Sequence, residues 1–206
     1  MRKWLIALMI IVPLTSFALE SSFVLGNDIN HNTDFDFKPH HGEGQFDSYL
    51  SMTVNYEPIK NLQQQLSKQY PRKLQSRGEA HITVITPPEY WDSLRHKMTM
   101  HDIDLIARAL RIQAAEFTVL CLGKAKAKLG KHVEEAFYVV VESTVLLSIR
   151  KNVHALYIEK GGDPADFNPF AFYPHITVGF TERDLYIGDG AIKNVESCYA
   201  DLVAAG

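Results

Sequence analysis

A chain of 206 residues, 46% of them hydrophobic, can bury one substantial core but is too short for two comfortable domains. Its formal charge of −3, from 21 Lys+Arg against 24 Asp+Glu, lacks the basic footprint needed to grip a long polyanion, so an extended nucleic-acid surface is excluded. Two cysteines do not make a disulfide scaffold.

The chain opens on a segment that reads as a cleaved export signal rather than a retained anchor. Arg2 and Lys3 form a short positive region, Trp4 to Phe17 is apolar apart from Pro13, and Ser16-Phe17-Ala18 supplies small residues at the cleavage site. The apolar run falls short of the roughly 20 residues that span a bilayer. Cleavage after Ala18 takes the formal charge from −3 to −5 and predicts a secreted or periplasmic protein with no remaining membrane attachment. Residues 19–46 are polar, rich in Asn, Asp, His and Gly, and read as an N-terminal arm ahead of a single domain over 47–206. Within the arm His31, Asp34, Asp36, His40 and His41 have no metal-ligand spacing, and no metal or cofactor is expected.

From Leu50 the pattern sharpens. Leu50, Met52, Val54 and Tyr56 alternate with polar residues as a half-buried strand does. Pro58 opens a helix with Ile59, Leu62 and Leu66 on one side, and Pro71 closes it. A strand over 79–85 ends at Pro87-Pro88, which leads a short helix through Trp91 and Leu94. A helix from Asp102 and a strand over 115–122 follow. Lys124, Lys126 and Lys128 then alternate with Ala125, Ala127 and Leu129. That basic face suits a lysine-guarded edge strand, and Lys124 and Lys126 could instead contact a phosphate-bearing substrate. The second half predicts a strand over 137–141, a helix capped by Ser143 and ended by Gly161-Gly162, a strand over 172–180, and a last strand over 195–202. Cys121 and Cys198 both fall in apolar strand-like stretches, where a disulfide and a pair of buried thiols fit equally well.

Both halves read strand, helix, strand, further strand, a duplication of pattern rather than identity. The expected fold is α+β: two pseudo-symmetric lobes, each a mostly antiparallel sheet with helices on its outer face, and a cleft between them. The third element of each half carries the same tetrapeptide, His81-Ile82-Thr83-Val84 and His175-Ile176-Thr177-Val178. Side chains two apart on a strand share a face, so each strand presents an imidazole and a hydroxyl together while its isoleucine and valine face the core. One such motif is most simply an ordinary strand histidine. Two in matching places of a repeat point to chemistry.

In-line cleavage of a P–O bond needs a base for the attacking oxygen and an acid for the leaving one, on opposite sides of phosphorus. Histidine titrates near neutrality and serves in either role. Threonine hydroxyls can donate to the non-bridging oxygens. A cyclic phosphate suits such a site because its strained ring already presents a good leaving oxygen. Tyr173, on the same face as His175, could stack on a base. The paired motifs, with Pro174 just before the second, resemble the two-histidine phosphoesterase superfamily over residues 49–202. The resemblance implies a metal-free two-lobed phosphoesterase with catalytic His81 and His175 and phosphate-binding Thr83 and Thr177. Its expected partner is a small phosphorylated substrate, a nucleotide or an RNA end, and it is expected to act as a monomer. The rival from another class is a binding module that grips a phosphate without turning it over.

Overall fold

The computed structural model describes residues 22–205; the expected export segment, residues 1–18, lies outside them. Its centre is a six-stranded, wholly antiparallel sheet in the order β2-β3-β6-β5-β4-β7. The strands are β2 (Leu50–Thr53), β3 (His81–Ile85), β4 (Thr118–Leu129), β5 (His132–Glu142), β6 (His175–Phe180) and β7 (Cys198–Ala200). The polar arm is tied down at its start, where β1 (Phe23–Leu25) pairs in parallel with β8 (Leu202–Ala204). Phe23, Leu25 and Ile29 are buried there, and the Gln65 amide bonds both backbone groups of Val24.

Three helices supply the apolar layer on one face of the sheet: α1 (Tyr56–Gln69), α2 (Met100–Ala109) and α3 (Thr144–Glu159). Their starts are written in the sequence. Asn55 accepts from the Glu57 N–H, Thr99 and Asp102 form a reciprocal capping box, and Ser143 accepts from the Leu146 N–H. Pro58 sits inside the first turn of α1, where the missing N–H has no helical partner to lose. After α3 the chain reverses at Gly161, whose φ of +83° is a left-handed conformation that glycine adopts freely. Ile59, Leu62, Leu66, Ile103, Leu146, Ile149 and Val153 pack with Ile82, Val84, Ile176 and Val178, so the motif strands turn their apolar residues inward.

The sheet has a narrow seam. β2–β3 and β6–β5–β4–β7 meet through the single register pair Ile82↔Ile176. Each long helix reaches across it, α1 touching β6 and α3 touching β3. Buried Arg150 of α3 adds a polar clasp. Its guanidinium donates to the carbonyls of Val84, Pro169, Asn168 and Ala171 at 2.7–3.2 Å and pairs with Glu89 at 2.7 Å. It thereby pins the loop that delivers β6 to the end of β3.

Two elements differ from expectation. β4 runs unbroken to Leu129, joining the strand expected over 115–122 to the lysine-bearing stretch, because pairing with β5 carries it beyond its apolar residues, and it makes a long hairpin with β5 across Gly130. The last strand breaks at Asp201 into β7 and β8, and a disulfide between Cys121 and Cys198 fastens β7 to β4.

Candidate active site

Ile82↔Ile176 fixes how the two motifs face each other. Extending that antiparallel register by one residue each way sets His81 opposite Thr177 and Thr83 opposite His175. All four are half-buried on the face away from the helices. Directly opposite Cβ atoms in such pairs are about 5 Å apart and diagonal ones about 7–8 Å, so the histidines flank a space that fits one phosphoryl group.

The two imidazoles have unlike surroundings. His81 Nδ1 lies 3.3 Å from Glu79 Oε1, and this hydrogen bond holds the Glu79 carboxyl below its ordinary range. The Tyr49 ring is 6.2 Å from His81 and stacks on His40 at 4.0 Å, where a bridge joins the arm to the start of β2. Burial, and then the nearness of His81, push the His40 imidazole down. His41 turns to Asp104, 2.7 Å away. The arm histidines thus lie beside the first motif and the second helix.

His175 Nδ1 is 2.8 Å from the Tyr173 carbonyl, which can only accept, so Nδ1 carries the hydrogen and Nε2 keeps its lone pair. That lone pair accepts from Lys193 Nζ at 3.1 Å. Lys193 is 4% exposed and pairs with equally buried Asp184 at 2.8 Å. The other Asp184 oxygen accepts from Thr177 Oγ1 at 2.9 Å and from Arg77 Nη2 at 3.2 Å. Burial, followed by the Lys193 ammonium, pushes the His175 imidazole well below its ordinary value of 6.5, against the opposing pull of Asp184. Burial also pushes Asp184 up, but the Lys193 charge and hydrogen bond outweigh it and hold the carboxyl low. Tyr138 closes the floor, edge-on to His175 at 5.6 Å.

Among the substrate contacts expected from sequence, Tyr173 is beside the site. It orients His175 through its carbonyl, and its residue lines a groove of about 270 Å³ with Phe170, Phe172, Leu120, Val140 and Lys193. Lys124 and Lys126 are not brought there. Cys121, Ala125 and Ala127 share the Tyr138 side of the sheet, so the intervening lysines face the other way. Both pair with Glu135, at 2.9 and 3.0 Å, and Lys124 also sits over the rings of Tyr70, Phe137 and Tyr199. Lys193, Asp184 and Arg77 had no sequence signal, because a loop brings them back over the sheet. Glu79 had one: it lies two residues before His81.

Two imidazoles set diagonally across a seam, one whose lone pair meets a lysine and one beside a carboxylate, are equipped for paired proton transfer at a phosphorus between them. The profile of the 2H-SAK family, described as Swiss Army Knife, 2H phosphoesterase domain, matches residues 48–186, well over half of the chain. No curated protein and no solved structure matches it. The chain therefore belongs to the 2H phosphoesterases of the Swiss Army Knife group, hydrolases acting on phosphoester bonds.

Proposed function

We propose that this phosphoesterase hydrolyses a cyclic phosphate or phosphodiester of a nucleotide or RNA end, without a metal, by general acid/base catalysis between His81 and His175. The observation that carries the reading is the register pair Ile82↔Ile176, which sets the two imidazoles diagonally on one face with a threonine opposite each. Thr83 then stands where its hydroxyl can meet a non-bridging oxygen, and Thr177, whose one proton goes to Asp184 in this structure, would do so on turning from that carboxylate. A monoanionic diester suits an acidic chain better than a long polyanion does. Export accords with the Cys121–Cys198 disulfide, a bond that persists in oxidising compartments.

Turnover of 2′,3′-cyclic nucleotides, 2′–5′-linked oligonucleotides and phosphate monoesters, measured in EDTA, tests this directly. Hydrolysis of a cyclic or diester substrate that survives the chelator is the expected result. Binding of these compounds without turnover would make the protein a phosphate-binding module, and loss of turnover in EDTA would make it a metallohydrolase.

A further inference from the structure

We propose that Lys193 is the resident cation of this active site: it fixes His175 as the general base, leaving His81 as the acid, and closes on a non-bridging oxygen of the substrate. The inference rests on the phosphodiester reading above, but Lys193 lies beyond the matched segment, residues 48–186, and belongs to neither motif.

Charge and geometry carry it together. A buried ammonium costs several kcal/mol unless it is paired. Lys193 has a carboxylate partner in Asp184, but Asp184 also serves Arg77. Two cations share one carboxylate, and Asp189, the next acid toward Lys193, is committed to Arg183 at 2.7 Å. Glu79, which also feels Arg77, offsets the second cation, so it is the Lys193 ammonium itself, held against the motif histidine, that an anionic phosphoryl oxygen would meet. Lys193 Nζ has three N–H donors; one goes to Asp184 and one to His175 Nε2, leaving one for an incoming oxygen.

The same contact divides the roles. The charged and titratable groups around His175 are Lys193, Asp184 and His81, with the Tyr138 ring against its edge. The nearest is a cation, and an imidazole beside an ammonium resists taking a proton until the reaction supplies the driving force. His81 has a carboxylate, Glu79, at its Nδ1 instead. In the proposed step, Lys193 Nζ turns from His175 Nε2 to a non-bridging oxygen, and water then gives a proton to the freed Nε2 as its oxygen bonds to phosphorus. The bond from phosphorus to the leaving oxygen breaks, and that oxygen takes a proton from His81. One proton enters the pair and one leaves. Once protonated, Nε2 can no longer accept from Lys193, so the ammonium stays on the phosphoryl oxygens as the product's charge develops.

The test pairs a titration with turnover, using the full-length exported protein and 2′,3′-cyclic AMP as the probe. NMR titration of the imidazoles should show His175 resisting protonation in the wild type. In Lys193→Met its midpoint should rise by about one pH unit or more, with the acid limb of kcat/KM moving the same way and kcat falling about a hundredfold. Lys193→Arg should retain the low midpoint. Lys193→Gln, which keeps a hydrogen bond to Asp184, reads the same shift if the Met variant does not fold. A His175 midpoint identical in the wild type and the neutral variants would overturn the proposal. If no phosphoester is turned over by the wild type yet the midpoint still shifts, the proposed function fails while the Lys193–His175 coupling stands.

Discussion

The two motif hydroxyls occupy different circumstances despite identical tetrapeptides. Thr177 donates its one proton to Asp184, which in turn holds Lys193 against His175. Replacing Thr83 by Val should cost roughly 1–3 kcal/mol in transition-state binding, read as kcat/KM, with the melting temperature unchanged. Replacing Thr177 by Val should lower kcat/KM as well, and should also lower thermal stability by leaving the Asp184 oxygen short of a donor. Equal kcat/KM in both variants and the wild type on a confirmed substrate would remove the threonines from the site. His81, Thr83, His175 and Thr177 were legible in sequence because period-2 parity is local. Lys193, Asp184 and Arg77 were not, since their meeting depends on where a loop returns. Lys124 and Lys126 show the limit of the same parity. It says that they share a face, and only the packing of Ala125 and Ala127 against Tyr138 decides which one.

Among elements, the β4–β7 fastening lends itself most readily to measurement. The Cys121–Cys198 bond closes a sequence separation of 77 residues, and closing a loop of that length stabilises by roughly 4–5 kcal/mol in the chain-entropy account. Urea unfolding of the oxidised protein and of the Cys121→Ala/Cys198→Ala variant should differ by a few kcal/mol at most, with the variant weaker; equal midpoints would show that the bond constrains nothing. The third helix was readable from its Ser143 cap, whereas the first two were read from Pro58 and Asp102 and in fact begin earlier, at Tyr56 and Met100, behind the Asn55 and Thr99 caps. The extent of β4 was less so, since strand pairing with β5 across eleven register pairs extends it beyond its apolar stretch.

For the molecule as a whole, His175 and buried Asp184 make acid the natural denaturant. The unfolded chain binds a proton at this histidine near 6.5, while native His175 takes one only at much lower pH. The native state therefore loses stability as pH falls below 6.5, at up to about 1.4 kcal/mol per pH unit from this group. Asp184 acts in the same direction lower down, because its depressed native value forfeits stability as pH falls below 3.8. His175→Gln should flatten the fall of melting temperature between pH 6.5 and 4; a slope equal to that of the wild type would contradict a native imidazole that resists protonation. The α+β class and the pairing of the motifs followed from sequence periodicity, whereas the seam at Ile82↔Ile176, which aligns the site, depends on long-range register. The central claim is that His81 and His175 act as one acid/base unit, and kcat/KM of His81→Ala, His175→Ala and the double variant, on a confirmed cyclic or diester substrate in EDTA, tests it most directly. Each single variant should lose roughly 10²–10⁴-fold, and the double should be little worse than either. A folded His175→Ala protein that hydrolyses its substrate at the wild-type rate would contradict the account.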